Sequence, residues 1–256
     1  AHHSTIGDAR PNEALKEDAL FRIASMTKPI TSIAFMMLVE EGVASLDDSL
    51  TKYCPEFANT GVYVAGGGAM PFGTRKPASP IRMVDVLRHT AGFTYSFQER
   101  TLVDQAYRKT KIDDFDAAYS MDSFIAELAK IPLLFDPGQH WNYSIATDVL
   151  GVVVERIAGK PFAQVLKERI FDPLGMKDTG FQVSADQMHR LTDAYAFHPR
   201  DKMVAFDNGA RSRWSKDRSF HSGGGGLVSS IQDYHRFALM LVNGGTLDGQ
   251  RIISRK

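Results

Sequence analysis

The sequence predicts a mixed α+β fold that is richer in helix than in strand, and three observations lead to this prediction. The chain has 256 residues, of which 43% are hydrophobic, so it is long enough to bury a large core. Apolar residues recur with helical spacing in several segments, and only short strand-like runs lie between them. No internal repeat and no linker rich in proline, serine or charge divides the chain. We therefore predict a single domain over residues 1–256.

The strongest helical pattern follows the strand-like run 21–23. It predicts a helix from Ser25 to Glu41, with Gly42 as the C-terminal stop. The apolar stripe of this helix consists of Ile30, Ile33, Ala34, Met37 and Leu38.

Further elements are predicted in order along the chain. Helices are expected at 82–89, 122–130, 146–158, 162–170 and 230–242, and strands at 191–197 and 203–206. Ser230, with Asp233 three residues later, is typical of a helix start. The segment 61–80 is rich in glycine and proline and predicts an irregular loop with an edge strand at 62–64.

The charge balance, the apolar stretches and the cysteine count limit which kinds of partner and cofactor this chain could bind. Thirty Lys and Arg residues balance thirty Asp and Glu residues and are scattered, so no basic stripe is available for nucleic acid. The longest apolar stretch, 30–39, is shorter than the ~20 residues that cross a bilayer. Cys54 is the single cysteine, which excludes an internal disulfide and a cysteine-rich metal site. We therefore expect no nucleic acid, membrane, metal or cofactor; the compartment (cytoplasm or periplasm) and the oligomeric state stay open.

Several catalytic motifs are absent from the sequence. It has no Gly-x-Ser-x-Gly elbow, which argues against an α/β-hydrolase. It also has no His-Glu-x-x-His, no Walker-type phosphate loop and no Gly-x-Gly-x-x-Gly that opens a helix.

The pattern Ser-x-x-Lys is present twice, at Ser25 with Lys28 and at Ser49 with Lys52. The pattern is loose, so the context has to separate the two copies. Ser25 lies where a strand-like run turns into a helix, and the positive end of the helix dipole favours a developing oxyanion there. Lys28 is one turn further along the same face. Ser49 is followed by the broken segment 53–55 and is interpreted as a solvated turn serine.

A serine hydroxyl needs a base beside it to act as a nucleophile near neutral pH. Lys28 could serve if burial made it neutral, or it could stay charged and stabilise a tyrosinate base. The best candidate tyrosine is Tyr143, which follows a Pro-Gly turn and directly precedes the predicted helix 146–158. The alternative interpretation of Tyr143 is a half-buried tyrosine with a hydrogen-bonded hydroxyl.

A series of short segments in a characteristic order extends over most of the chain, from Asp18 to Ser254. They are residues 21–28 (Phe-Arg-Ile-Ala-Ser-Met-Thr-Lys), 46–48 (Leu-Asp-Asp), 87–93 (Leu-Arg-His-Thr-Ala-Gly-Phe), 135–138 (Phe-Asp-Pro-Gly), 141–144 (Trp-Asn-Tyr-Ser), 173–176 (Pro-Leu-Gly-Met), 223–230 with Asp233, and 243–245 (Asn-Gly-Gly). Together they resemble the serine β-lactamase and penicillin-binding superfamily. The likeness is greatest to class C β-lactamases, family VIII carboxylesterases and D-Ala-D-Ala carboxypeptidases.

The resemblance implies a β-lactamase-like α+β fold, with an antiparallel sheet flanked by helices and a helical subdomain at roughly 55–220. In that fold, the sheet covers much of the apolar face of the first helix. The resemblance also implies that Ser25 is the nucleophile, Lys28 its partner and Tyr143 the base. The reaction would pass through an acyl-enzyme on Ser25, and the substrate would be a small-molecule ester.

Three further residues are candidates for substrate binding. Trp141 and Tyr95 could line an acyl pocket, although aromatic side chains are more often part of the core. His221 opens His-Ser-Gly, which matches the pattern of the third motif of the resembled family. It runs directly into a glycine-rich segment that in the family normally lies well before that motif.

Two departures from the family pattern shape the functional prediction. Ile145 stands where β-lactamases of this type carry asparagine, which favours a carboxylesterase for small or short-chain esters over a β-lactamase or D-Ala-D-Ala peptidase. The family's strands before Asp18 and after Asn243 are not found, so we expect the domain to be partial at both ends, with the second oxyanion donor outside the chain. This loss motivates a further alternative, a non-catalytic ligand-binding module of the same fold.

Overall fold

Helices and short strands follow one another through residues 4–198 and 200–255, the part of the chain that the structure, a computed structural model, describes. The strands are β1 (Asp8–Arg10), β2 (Glu13–Ala14), β3 (Leu20–Arg22), β4 (Val62–Gly67), β5 (Met70–Arg75), β6 (Ala194–His198), β7 (Lys202–Asp207), β8 (Val228–Ser230), β9 (Thr246–Leu247) and β10 (Gln250–Arg251). The α-helices are α1 (Thr27–Glu40), α2 (Met83–Leu87), α3 (Leu102–Thr110), α4 (Met121–Leu128), α5 (Ala146–Ala158), α6 (Phe162–Leu166), α7 (Asp172–Leu174) and α8 (Ile231–Val242).

The strands of the described residues form two-stranded antiparallel pairs. These pairs are β1–β2, β3–β8, β4–β5, β6–β7 and β9–β10. The predicted α+β class is confirmed. No helix in the described part of the chain has the length and apolar character needed to span a bilayer.

The chain divides into two compact units, and the first covers 25–165 and 219–225. Its centre is the pair α1 and α5. Helix α1 buries Ile30, Ala34 and Leu38 and packs against α5, which is buried continuously over 146–154. In the resembled fold, a sheet covers much of this apolar face; here a helix from the same unit contacts it.

The glycine-rich segment 61–80 holds a hairpin of β4 and β5, so the predicted strand at 62–64 is confirmed, whereas the prediction of an irregular loop around it is wrong. Gly66 and Gly67 adopt positive φ angles of 79° and 103°, and the register shifts between them. Glycine tolerates this conformation and permits the bulges that bend the pair. The same residues that suggest a loop therefore shape a hairpin.

Helix α3 was not predicted from the sequence. It begins with a capping box in which Thr101 and Asp104 each accept a hydrogen bond from the backbone N–H of the other. The other helices of this unit, α2, α4 and α5, lie within a few residues of their predicted bounds.

The second unit comprises the described residues within 1–24, 166–218 and 226–256. Its core gathers side chains around the β3–β8 pair, namely Leu20, Val183, Leu191, Trp214 and Val228. Arg22 on β3 forms an ion pair with Asp207 at the end of β7. The predicted strands 191–197 and 203–206 form the hairpin of β6 and β7.

Two further predicted helices, 230–242 and 162–170, are found in the structure with different accuracy. Helix α8 starts after Ser230, whose hydroxyl accepts the backbone N–H of Asp233, as the sequence pattern predicts. The predicted helix 162–170 is an α-helix only over Phe162–Leu166 and continues as a π-helix over Lys167–Phe171. The helical subdomain at roughly 55–220 and the single domain over 1–256 stay predictions.

Candidate functional site

Ser25 lies in a short 3₁₀ turn, Ala24–Met26, directly before α1, and its side chain is exposed. The preceding residue, Ala24, has a φ of 44°, a left-handed conformation that is unfavourable for a residue with a Cβ atom. Strained backbone of this kind is often found at functional positions. The sharp turn presents the Ser25 hydroxyl at the start of the helix.

Lys28 occupies the first turn of α1 and points toward Ser25. Its Nζ donates a hydrogen bond to Ser25 Oγ at 3.2 Å and another to the carbonyl oxygen of Gly224 at 2.7 Å. The same Nζ lies 4.7 Å from the ring centroid of Tyr143. Two oxygen acceptors and an aromatic face form an environment that suits a charged ammonium.

Tyr143 comes from the loop before α5, and its hydroxyl lies 2.6 Å from Ser25 Oγ. Hydrogen bonds on both sides of Tyr143 hold this loop in place. The backbone N–H of Asn142 donates to His89 O at 3.0 Å, and that of Ile145 donates to Thr94 O at 3.1 Å. The structure thus brings Ser25, Lys28 and Tyr143 into mutual contact.

Aromatic side chains surround Tyr143. The buried ring of Tyr95 lies 5.5 Å from it, and the ring of Trp141 lies 6.4 Å from it with 67% of the residue exposed. Phe97 stacks on Tyr95 at 4.8 Å and is also exposed. Two of the three candidates for substrate binding therefore lie beside Tyr143, although Tyr95 itself is largely covered.

His221, the third candidate, is half-buried and directly precedes Ser222. Its role in substrate binding stays a prediction. The neighbouring Gly224 reaches the site through its backbone, since its carbonyl oxygen accepts the Lys28 hydrogen bond.

The second Ser-x-x-Lys copy is arranged differently. Ser49 caps the 3₁₀ helix Leu50–Lys52, and its Oγ accepts the backbone N–H of Thr51 at 3.3 Å. Lys52 pairs with Asp48, with 2.9 Å between Nζ and Oδ2. Serine and lysine of this copy are engaged in local turn and helix contacts.

Sequence reasoning did not identify two residues that lie behind the site, Asp148 and Gly224. The carboxylate of Asp148 accepts hydrogen bonds from Ser222 Oγ and from the backbone N–H of Gly224. A signal for Asp148 was present in the sequence, because it is the one charged residue in the apolar run 146–154. The partner of such a residue cannot be identified from spacing alone.

His89 is another residue near the site whose contacts the sequence did not predict. It has a φ of 59°, its Nδ1 lies 3.1 Å from Ser144 Oγ, and its ring centroid is 5.0 Å from that of Tyr143. Burial, with a contribution from the positive charge of Lys28, lowers the pKa of His89 to about 4. His89 is therefore neutral near pH 7.

The low pKa of His89 makes stability depend on pH. In the unfolded chain, its pKa returns to an ordinary value near 6.5, so between about 6.5 and about 4 the unfolded state binds more protons. Stability from this group is complete above pH 6.5 and is lost as the pH falls toward 4. In His89→Asn, where asparagine tolerates the left-handed backbone, we expect a flatter dependence of the melting temperature on pH between 7 and 4.5. Identical pH dependence in both proteins would contradict the assignment.

Known proteins are similar in sequence to most of this chain. The family model described as Beta-lactamase matches residues 2–255. Protein Rv1367c of Mycobacterium tuberculosis is 40% identical over 241 residues, which cover 94% of this chain and 58% of that protein. Esterase EstB of Burkholderia gladioli is 34% identical over 248 residues, which cover 90% of this chain and 59% of that protein. The chain thus spans less than two thirds of these relatives.

A solved structure has a similar fold. It is titled "EstCE1, a hydrolase with promiscuous acyltransferase activity", and it matches with a TM-score of 0.77 at 25% sequence identity. The match covers 96% of this chain and 65% of that one. The predicted β-lactamase-like fold is confirmed by this likeness.

Proposed function

The chain belongs to the beta-lactamase family, and from this premise we propose that it is a serine hydrolase that forms an acyl-enzyme on Ser25. We further propose that it is a carboxylesterase for small or short-chain esters. Ser25 is the nucleophile, Lys28 and Tyr143 move its proton, and Trp141, Tyr95 and His221 contribute to substrate binding.

The observation that carries this proposal is the convergence of two groups on one oxygen atom. Tyr143 Oη lies 2.6 Å and Lys28 Nζ lies 3.2 Å from Ser25 Oγ. A base within hydrogen-bond reach is the requirement for activating a serine hydroxyl. The ammonium of Lys28 also lies over the Tyr143 ring, where its charge stabilises a tyrosinate.

The reaction follows from this arrangement in two halves. In the first, Ser25 Oγ bonds to the ester carbonyl carbon while its proton passes to Tyr143, and the tetrahedral intermediate then releases the alcohol, which takes up that proton. In the second, water attacks the acyl-enzyme and gives a proton to the same tyrosine. The bond to Ser25 breaks, the serine is reprotonated and the carboxylic acid leaves. Lys28 stabilises the negative charge of Tyr143 in the stages in which the tyrosine has no proton.

The position of Ile145 supports an ester over a β-lactam as substrate. Its side chain is apolar and only 1% exposed, so it offers no amide to a ligand. A site without that hydrogen-bonding group loses the contact that would hold a β-lactam side chain. The name of one relative, esterase EstB, supports the same class of substrate.

A comparison of two chromogenic substrates tests the proposal. We expect the full chain to hydrolyse p-nitrophenyl acetate with saturation kinetics, whereas nitrocefin turnover stays at the uncatalysed rate. The physical reason is that transfer of the small acetyl group relies on the nucleophile, its base and the start of α1 that favours the oxyanion, whereas a β-lactam also needs its side chain to be bound.

Other outcomes favour the alternatives. Faster turnover of nitrocefin than of the ester would indicate a β-lactamase. Saturable binding of esters with no turnover and no covalent labelling by a fluorophosphonate would indicate a non-catalytic module.

A further inference from the structure

Asp148 is a buried carboxylate that the proposed mechanism does not use. It lies on α5 in the run 146–154, where every residue is buried, and only 4% of it is exposed. A carboxylate in such a place is unfavourable unless hydrogen bonds or an opposite charge stabilise it. Its partners therefore indicate what it does.

Each polar contact of Asp148 leads to a segment next to the site. Ser222 Oγ donates a hydrogen bond to Oδ1, and the backbone N–H of Gly224 donates to the same oxygen at 3.1 Å. Burial, with a contribution from the negative charge of Asp148, raises the pKa of the Tyr95 hydroxyl well above its ordinary value. The charged groups that face Asp148 are Lys28 on α1, which favours its ionised form, and Asp113, which opposes it.

Gly224 connects this carboxylate to Lys28. Its N–H faces Asp148, and its carbonyl oxygen accepts the Lys28 hydrogen bond at 2.7 Å. A Cβ atom at position 224 would collide with the Asp148 carboxylate, so only glycine permits this close approach. Gly224 thus donates a hydrogen bond to the Asp148 carboxylate through its N–H and accepts one from the Lys28 ammonium through its carbonyl oxygen.

We propose that Asp148 is a positioning residue, whose carboxylate fixes the segment 222–224 so that the Gly224 carbonyl holds Lys28 beside Ser25. This inference rests on the proposed function. Asp148 acts through Gly224 and contacts neither the substrate nor the reacting atoms. Its negative charge also faces the ammonium of Lys28 and complements it.

The protonation of Asp148 should affect the pH dependence of kcat in a predictable direction. Burial raises the pKa of Asp148 above its ordinary value, while the hydrogen bond from Ser222 and the charge of Lys28 act against this. As the pH falls through that raised value, the carboxyl becomes neutral and the charged acceptor of the Gly224 N–H is lost. We therefore expect the acid limb of the kcat profile to follow the ionisation of Asp148.

Two variants should move this limb in opposite directions. Asp148→Asn keeps the shape and an acceptor but has no charge to lose, so kcat falls roughly 10–100-fold at pH 7 and the acid limb moves to lower pH. Ser222→Ala removes a hydrogen bond that lowers the pKa of Asp148, so the acid limb moves to higher pH. The KM for p-nitrophenyl acetate should stay unchanged in both.

Asp85→Asn is the matched control, since Asp85 is a carboxylate that is 1% exposed at the start of α2. It should lower the melting temperature and leave the acid limb of kcat where it is in the parent chain. The proposal would be overturned if the acid limb of the kcat profile stayed at the parent pH in both Asp148→Asn and Ser222→Ala, or moved in the same direction in both.

A spectroscopic readout separates this inference from the proposed function. The amide resonance of Gly224 in the ¹⁵N-labelled full chain should titrate with pH, should lose this titration in Asp148→Asn and should titrate at higher pH in Ser222→Ala. If the parent chain hydrolyses no ester, the proposed function fails, but the Gly224 resonance still decides the positioning role. An unchanged titration in Asp148→Asn would refute it.

Discussion

Ser25→Ala should lower ester hydrolysis by roughly 10⁴–10⁶-fold, the range seen when a nucleophile or an equally essential partner is removed from a serine hydrolase. The reason is that Ser25 Oγ is the atom on which both Lys28 and Tyr143 converge. Because Ser25 is exposed, the fold should keep its melting temperature. Hydrolysis of p-nitrophenyl acetate and mass spectrometry of a fluorophosphonate adduct measure the result.

Ser49→Ala is the matched control for this experiment. Ser49 has the same spacing to a lysine but caps a 3₁₀ helix, so its loss should change neither turnover nor labelling. A fluorophosphonate adduct on Ser49 or Ser222 in the parent chain would refute the assignment of the nucleophile.

Tyr143→Phe should lower kcat by ~10²–10⁴-fold, the usual loss when a positioned acid–base group is removed. The change deletes only the hydroxyl that lies 2.6 Å from Ser25 Oγ and leaves the ring, so the fold should be kept. Lys28→Ala should be at least as damaging, because it also removes the charge beside that ring. Steady-state kinetics with p-nitrophenyl acetate measure both.

Tyr119→Phe and Lys52→Ala provide controls of the same chemistry. The Tyr119 hydroxyl donates to Thr110 O at 2.6 Å, and Lys52 pairs with Asp48, so neither should affect kcat. An active Tyr143→Phe enzyme would leave Lys28 as the sole base and contradict the shared role.

The elements that sequence reasoning predicted well are those whose signal is local. Helices α1 and α8 carry a periodic apolar stripe, α5 carries a nearly continuous apolar run, and Gly42 and Ser230 mark ends that the structure places within two residues. The strand β5 and the C-terminal half of β4 were missed because their glycines resemble loop glycines until the pairing of the two strands is known. Helix α3 was missed although Thr101 and Asp104 offered a capping signal.

The contacts of the candidate site also differ in how far they could be predicted from the sequence. Ser25 and Lys28 are three residues apart at the start of one helix, so their contact follows from helical geometry and could be predicted. Tyr143 was predicted as the base from its loop and from a family resemblance, yet it is 118 residues from Ser25. The contacts of Asp148 with Ser222 and of Lys28 with Gly224 were not predicted at all.

The sequence by itself determined the Ser25–Lys28 pair and the helix that carries it, because both depend on neighbours within one or two turns. It also determined the α+β class and the family resemblance, because these depend on local patterns and on the order of short motifs along the chain. Only the tertiary structure decided that the Gly224 carbonyl holds Lys28 across 196 residues and that a buried carboxylate lies behind it. Such contacts leave no period in the sequence. They form because a half-buried ammonium or a buried carboxylate must find hydrogen-bond partners wherever the packing of helices brings them.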